Sequence, residues 1–321
     1  MRLTECSPGT RILAFGGYQP ATVVTNDDLA ASVDTTDEWI RSRVGIASRR
    51  IAGPDESLAD MAAAAGGKAL AASGLPASDI DLVIVATCTA ETAIPNIAAT
   101  VATRLGIAAP GAYDLNAACA GFCYALATAS DAVRAGTSRY VLVIGAEKLS
   151  QWVDWTDRST CIIFADGAGA AVVGPLDDPQ AGPGIGPVVW GSDGNLADKI
   201  FIKDRHSFLV QEGQAVFRWA TTALHPVAKK ACALAGVDPA ELVAFVPHQA
   251  NLRIVEAIAR RLGAPQALVA DDIVTAGNTS SASIPLALSR MLERGEIPSG
   301  APVLLLGFGG ACYAGQVITV P

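Results

Sequence analysis

The 321-residue sequence has few charged residues, 17% of the total, and only three histidines. Its seven cysteines are scattered and include no CxxC pair, which argues against a zinc site and against a disulfide framework. No run of about 18 apolar residues is free of glycine, proline and charge, and no basic segment near the N-terminus leads into a long apolar run. We therefore expect a soluble cytoplasmic protein without a signal peptide, a membrane span or a bound metal.

Basic residues are fewer than acidic ones, and the net charge at pH 7 is −8. This charge disfavours nucleic acid as a partner for the chain as a whole. Apolar residues make up 51% of the sequence, which is enough to form the core of one large domain or two medium ones. The mean hydropathy of +0.36 then reflects buried strands and alanine-rich helices. Composition thus predicts a globular protein with neither a nucleic-acid partner nor a membrane partner.

The two halves of the chain repeat each other at an offset of 162 residues. Helical patterns at residues 57–73 and 215–235 are each followed by an apolar strand, at residues 82–86 and 242–246. The same offset relates several matching pairs: Lys68 and Lys230, Gly74 and Gly236, strands 141–144 and 303–306, and Ala125-Leu126 and Ala287-Leu288. Because these four pairs share the same offset, they indicate an internal duplication.

Each half has the pattern strand, helix, strand, helix, strand, with continuous apolar runs typical of strands covered on both faces. We predict an α/β fold made of two pseudo-symmetric halves packed in layers. Residues 174–187 are rich in glycine and proline and mark a connection between the halves. The predicted boundary near residue 175 divides the chain into residues 1–175, with Cys119, and residues 176–321, with His248 and Asn278.

Cys119 lies in DLNAACAGF, residues 114–122, where a predicted strand gives way to a predicted helix over residues 121–135. A thiol at a helix N-terminus faces the positive end of the helix dipole and unpaired backbone N–H groups, which favour the thiolate below the usual pKa of about 8.5. The small neighbouring residues leave room for an acyl group. Cys119 is therefore a candidate nucleophile. The alternative, a small buried core residue, suits Cys123 better.

His248 lies in VPHQAN, directly after the second-half strand, at the carboxyl end where loops meet in α/β folds. Asn278 lies in TAGNTSSASIP, residues 275–285, the repeat equivalent of the cysteine turn. Each residue has a structural alternative, a hydrogen-bonded histidine and a helix N-cap asparagine. The position of Asn278 in the repeat favours the functional interpretation. A fourth segment, GFGGACYAG at residues 307–315, is a glycine-rich turn that can present backbone N–H groups to an oxyanion.

These four motifs, in this order, resemble the Cys, His, Asn and C-terminal glycine motifs of β-ketoacyl-acyl carrier protein (ACP) synthase III, a priming ketosynthase. The resemblance covers essentially the whole chain and includes DEWIRSRVGI at 37–46, TDRST at 156–160 and FADGAGAAVV at 164–173. It implies a thiolase-like fold, a homodimer, and no metal or redox cofactor. It also implies that acyl-CoA and malonyl-ACP are condensed with loss of carbon dioxide, which initiates fatty acid or polyketide synthesis.

The resemblance also implies roles for individual residues. Cys119 carries the acyl group, and His248 and Asn278 stabilise the enolate that forms on decarboxylation. The backbone N–H groups of Cys119 and Gly310 form the oxyanion hole. The implied CoA-binding residues are Trp39, Arg43, Arg158 and Asn251. The implied acyl-pocket residues are Phe308 and Ile94, the latter in the position of a family residue that reaches across the dimer. From the residues alone, Trp39 is a core residue and the arginines are solvated.

A basic patch is predicted on the segment NLRIVEAIARRLG, residues 251–263, whose apolar face comprises Val255, Ile258 and Leu262. The proposed docking arginines for an acidic carrier protein are Arg218, Arg253, Arg260 and Arg261, of which Arg218 is implied by the resemblance. The alternative is a solvated helix face.

Two stretches depart from the family pattern. Residues 191–213 are shorter than usual, and Ala311-Cys312 stand where many relatives have a glycine and an aromatic residue; the starter acyl group is not readable from the sequence. Three other functions stay open. The first is a related acyltransferase of secondary metabolism, which does not require Asn278. The others are a degradative thiolase, whose motif near Cys312 does not match, and a silent partner subunit, which typically lacks the nucleophile.

Overall fold

Two five-stranded sheets with matching strand order form the centre of the protein. The computed structural model describes residues 7–176 and 184–321. The first sheet comprises β1 (Thr10–Tyr18), β4 (Leu82–Ala86), β5 (Gly111–Leu115), β6 (Val141–Lys148) and β7 (Asp166–Pro175), in the order β1-β7-β6-β4-β5. The second comprises β8 (Val189–Ser192), β11 (Ala244–Pro247), β12 (Leu268–Val269), β13 (Pro302–Gly309) and β14 (Cys312–Thr319), in the order β12-β11-β13-β14-β8.

Nine helices are assigned in the described residues: α1 (Asn26–Ala30), α2 (Asp37–Val44), α3 (Leu58–Ser73), α4 (Ile97–Arg104), α5 (Gly121–Arg134), α6 (Gly213–Ala235), α7 (Leu252–Leu262), α8 (Ile273–Ala276) and α9 (Ser283–Glu293). Two short antiparallel pairs complete the fold: β2 (Thr22–Thr25) with β3 (Ser48–Ile51), and β9 (Ile200–Phe201) with β10 (Val210–Gln211). Short 3₁₀ turns precede α5 at Ala118–Ala120 and α9 at Ser280–Ala282.

The helices and sheets alternate in layers. Helices α5 and α9 pack between the two sheets, where they form the largest apolar core with β4, β6, β13 and β14. Helix α3 covers the outer face of the first sheet, and α6 and α7 cover the outer face of the second. Since both sheets are covered on both faces, their strands need the continuous apolar sequences from which they were predicted.

The 162-residue repeat is visible in equivalent elements of the two halves. Gly74 ends α3 and Gly236 ends α6, and both adopt the left-handed conformation, with φ of 71° and 68°. Serine at position 57 begins α3 with a capping box to Asp60, as the helical pattern indicated. The predicted strand at 242–246 is shifted, because a 3₁₀ turn over Pro239–Glu241 delays its start to Ala244.

All strands of the first sheet lie within residues 10–175, and all strands of the second lie within residues 189–319. The predicted connection at 174–187 includes residues 177–183, which are outside the described part of the chain. The boundary near residue 175 stays a prediction. Across the described residues, none of the helices has the length and apolar character needed to cross a membrane.

Candidate active site

A cavity of about 630 Å³ brings together Cys119, His248 and Asn278, the three residues predicted to be catalytic. Cys119 comes from the turn before α5, His248 directly follows β11, and Asn278 precedes the turn before α9. Phe308, at the end of β13, lies in the same wall. Elements of both halves therefore build one site from segments that are far apart in the sequence.

The turn that carries Cys119 is tightly packed against the glycine segment after β13. Ala118 has a φ of 45°, an unusual conformation for a residue with a side chain. A Cβ atom added to Gly309 would lie 2.9 Å from Cys119 Cβ and 3.0 Å from Cys119 Sγ. Position 309 therefore needs glycine so that the backbone can approach the thiol closely.

The repeat places a matching turn opposite the cysteine turn. Ser280, the repeat equivalent of Ala118, also has a positive φ, 48°. Asn278 precedes this turn, and its Oδ1 atom accepts a hydrogen bond of 2.8 Å from the backbone N–H of Ser280. Its own backbone pairs with Ile163 and Ala165. Because Oδ1 accepts this bond, the amide is oriented with its Nδ2 donors away from the Ser280 N–H, and Asn278 lies in the cavity wall.

His248 is fixed by contacts on several sides. Its backbone N–H donates to the Leu306 carbonyl at 2.8 Å, and its Nδ1 atom lies 2.7 Å from the Ser283 hydroxyl. The Phe308 ring packs edge-to-face against the imidazole at a centroid distance of 5.2 Å. Burial lowers the pKa of His248 to about 3, so the imidazole is neutral at physiological pH. A neutral imidazole offers one N–H donor and one acceptor.

Burial opposes ionisation of the Cys119 thiol. Burial raises the pKa of Cys119 to about 12, the Ser280 hydroxyl acts in the opposite direction, and the charge of Glu147 raises the pKa further. The sequence predicted a lowered pKa from the helix start, and that prediction was wrong. The helix terminus favours the thiolate, but enclosing the thiol between the two halves removes the water that would solvate the charge.

Aromatic and basic residues surround the outer part of the cavity. Trp39, Arg43, Arg158 and Asn251, predicted to bind CoA, all lie in its wall. The guanidinium carbons of Arg158 and Arg43 lie 4.7 and 5.5 Å from the Trp39 ring centroid. Asn251 begins α7 by accepting from the Arg253 N–H, and it donates to the Arg43 carbonyl at 3.2 Å. This hydrogen bond links α2 to α7 in the cavity wall.

The four predicted docking arginines are exposed, but they divide into two pairs. Arg218 and Arg253 lie in the cavity wall, and Arg253 lies over the Phe217 ring at 5.7 Å. Arg260 and Arg261 lie near the end of α7, outside that wall. Arg260 lies 3.7 Å from Glu256, and Arg261 donates to the Thr221 carbonyl at 2.6 Å. The apolar face predicted for α7 is buried.

Comparison with known proteins identifies the family. The profile of 3-oxoacyl-[acyl-carrier-protein (ACP)] synthase III matches residues 113–194, and that of its C-terminal part matches residues 232–320. β-Ketoacyl-[acyl-carrier-protein] synthase III 4 of Streptomyces coelicolor is 58% identical over 98% of this chain and 99% of its own length. The chain belongs to the 3-oxoacyl-ACP synthase III family. It is therefore an acyltransferase of the condensing type.

Solved structures of 3-oxoacyl-ACP synthase III relatives confirm the thiolase-like fold. The priming β-ketosynthase of the R1128 polyketide pathway superposes with a TM-score of 0.95 at 45% identity, covering 100% of this chain and 98% of its own. The synthase III of Aquifex aeolicus superposes with a TM-score of 0.92 at 38% identity, covering 97% and 100% of the two chains. Both similarities extend through the two halves that contain the site.

Two residues assigned by resemblance lie outside the cavity wall of this synthase. Gly310 has a φ of 53°, and a Cβ atom added there would lie 2.5 Å from the Ala118 Cβ atom, beside the nucleophile turn. Ile94 is 86% exposed. Their roles in the oxyanion hole and the acyl pocket remain predictions. Within residues 7–176 and 184–321, no group of three or more His, Cys, Asp or Glu side chains is arranged to hold a metal ion.

Glu147 acts electrostatically on Cys119 and was not identified from the sequence. It is fully buried at the end of β6, and burial raises its pKa. Its carboxyl group accepts hydrogen bonds of 2.6 to 3.1 Å from the Thr89, Ser281, Ser280 and Thr87 hydroxyls and the Cys88 N–H. Glu147 thus joins the first half to the turn after Asn278. The only signal in the sequence was a charged residue at the end of an apolar strand.

Proposed function

We propose that this synthase transfers the acyl group of an acyl-CoA to Cys119 and condenses it with malonyl-ACP. The observation that carries the proposal is the single cavity in which a buried thiol lies with His248 and Asn278, two side chains able to donate N–H groups. A thiol can hold the acyl group as a thioester, and paired donors can stabilise an enolate. The basic and aromatic opening of the cavity suits a nucleotide-bearing thioester.

In the first step, Cys119 Sγ attacks the thioester carbonyl of acyl-CoA. The bond from the carbonyl carbon to the CoA sulfur breaks, and CoA leaves as a thiol with the proton from Cys119. The oxyanion that forms transiently is held by the backbone N–H groups of Cys119 and Gly310. Because burial raises the pKa of Cys119, its thiol has to lose the proton before or during the attack.

In the second step, malonyl-ACP loses its free carboxylate as carbon dioxide. The electrons of the broken C–C bond form an enolate, whose oxygen accepts hydrogen bonds from His248 Nε2 and Asn278 Nδ2. The enolate carbon then attacks the acyl carbonyl on Cys119. The C–S bond breaks, β-ketoacyl-ACP leaves, and the Cys119 thiolate takes a proton from water to regenerate the thiol. Acyl-CoA and malonyl-ACP supply the carbon groups, and solvent supplies the one proton that is consumed.

Substrate contacts follow the arrangement of the cavity wall. Trp39, Arg43 and Arg158 provide an aromatic surface and positive charge for the CoA nucleotide, and Asn251 in the same wall provides a polar contact for the pantetheine arm. Phe308 contributes to the acyl pocket. In a homodimer, the exposed Ile94 would extend into the pocket of the other subunit. The six cysteines of the described residues are free thiols, which suits a reducing cytoplasm.

The acidic carrier protein would dock at the same opening. Arg218 and Arg253 line the opening and are therefore the first contacts expected for it. Arg260 and Arg261 extend the positive surface along α7, but each already has a partner in Glu256 or Thr221. Arg218 and Arg253 are therefore the main residues of the proposed docking site for the carrier protein.

The proposal is tested by measuring the two steps separately across a panel of acyl-CoAs. Intact-mass measurement after incubation with acyl-CoA should show one added acyl group. Addition of malonyl-ACP should remove that group and release one carbon dioxide for each β-ketoacyl-ACP formed. An acyl-enzyme that transfers its group without decarboxylating malonyl-ACP would favour the alternative of an acyltransferase in secondary metabolism. A chain that gains no acyl mass would contradict both.

A further inference from the structure

The Ser283 hydroxyl lies directly behind the imidazole of His248. Its Oγ atom is 2.7 Å from His248 Nδ1, and it also accepts a hydrogen bond of 3.3 Å from the backbone N–H of Gln249. Ser283 is the first residue of α9, is buried, and belongs to the helix that follows the Asn278 turn. One buried hydroxyl therefore connects the His248 loop to the segment that carries Asn278.

The direction of the bond to His248 follows from counting protons. In the described part of the chain, the Ser283 hydroxyl has these two hydrogen-bond partners, and the Gln249 N–H can only donate. The hydroxyl proton therefore has His248 Nδ1 as its acceptor. A nitrogen that accepts a hydrogen bond carries no proton in the neutral ring, so the ring proton is on Nε2.

We propose that Ser283 is a positioning residue that holds His248 as the Nε2–H tautomer, with its remaining donor available to the cavity. The inference rests on the proposed function, because it concerns the donor that the enolate requires. The opposite tautomer would place a lone pair on Nε2, and a lone pair repels an enolate oxygen. Phe308 packs edge-to-face on the ring and limits its rotation. The tautomer therefore decides whether Nε2 of His248 offers a hydrogen-bond donor or an acceptor.

The test compares Ser283→Ala, Ser283→Thr and the control Ser289→Ala. Ser289 is also buried on α9, but its hydroxyl bonds to Glu293, away from the cavity. Because the chain has three histidines, imidazole ¹⁵N spectra of histidine-labelled protein can resolve His248, assigned with His248→Ala. The tautomer is read in the free enzyme, and acylation and carbon dioxide release are read separately.

For wild type and Ser289→Ala we expect a single Nε2–H tautomer. In Ser283→Ala the hydrogen bond to Nδ1 is lost, so both tautomers should appear. Carbon dioxide release should fall by about 10- to 100-fold, the range typical of losing a group that orients a functional histidine. Acylation of Cys119 should change little. Ser283→Thr keeps the hydroxyl and should restore the tautomer and much of the carbon dioxide release.

An unchanged tautomer in Ser283→Ala would overturn the inference, and so would a mixture that leaves carbon dioxide release at the wild-type rate. Loss of both half-reactions to the same extent would indicate a structural role and would also overturn it. Failure of the proposed function is distinguishable, because wild-type protein would then not condense at all while its His248 tautomer could still be read in the spectrum.

Discussion

Substitution of Asn278 by aspartate should separate the two half-reactions. The carboxylate keeps an oxygen that can accept the Ser280 N–H, which lies 2.8 Å from Asn278 Oδ1, so the turn before α9 should retain its conformation. What the variant loses is the Nδ2 donor. Removal of one donor to an oxyanion typically costs about 3 to 4 kcal/mol, which is roughly a hundred- to a thousandfold in rate. Repulsion between the new carboxylate and the enolate adds to that loss.

The assay measures the half-reactions in parallel. Acylation is followed by intact mass after rapid mixing with acyl-CoA, and decarboxylation by release of labelled carbon dioxide from malonyl-ACP. We expect acylation within a few-fold of wild type, because we propose that its oxyanion is held by the backbone N–H groups of Cys119 and Gly310 rather than by Asn278. Asn278→Ala should give the same pattern with the Ser280 N–H left unpaired. Carbon dioxide release near the wild-type rate in either variant would refute the reasoning.

Three further predictions follow from the surroundings of the site. Burial raises the pKa of Cys119 to about 12, so the fraction of thiolate rises with pH throughout the range from pH 7 to 10. The rate of alkylation of Cys119 should therefore increase about tenfold per pH unit over that range. A rate that reaches a plateau near pH 7 would indicate a preformed thiolate. Arg218→Glu and Arg253→Glu should raise the KM for malonyl-ACP more than that for acyl-CoA, most strongly at low salt. The exposed Arg134→Glu serves as control, and equal effects in all three variants would show that the carrier docks elsewhere. Glu147→Ala leaves a set of buried donors without an acceptor and should lower the free energy of unfolding by about 3 to 5 kcal/mol in denaturant titrations; an unchanged midpoint and slope would show that the turn does not depend on Glu147.

Periodicity and the internal repeat were enough to predict the strands and helices that carry the site. The offset of 162 residues predicts that the Asn278 turn is equivalent to the Cys119 turn, and the two turns do have equivalent positive-φ residues in Ala118 and Ser280. The motif around His248 was predicted at the end of a strand, and His248 does follow β11. Local patterns suffice here because each turn is specified by its own short segment.

The features that the sequence did not predict depend on contacts between distant segments. The pKa of Cys119 depends on how completely the two halves enclose the thiol, which no local pattern records. Glu147 resembles an ordinary strand-end carboxylate until the hydroxyls of Thr89 and Ser281 are brought to it. Arg261 shares the charge of Arg253, yet it bonds to a helix carbonyl outside the cavity wall. The role proposed for Ile94 requires a second subunit.

We propose that Cys119 carries the acyl group that malonyl-ACP then consumes. The most direct measurement is to acylate the enzyme with labelled acyl-CoA, map the label by peptide mass, and then add malonyl-ACP. We predict one label per chain, on Cys119, that moves quantitatively into β-ketoacyl-ACP with release of one carbon dioxide. A label on Cys88 or Cys123, or a label on Cys119 that malonyl-ACP cannot remove, would contradict the account.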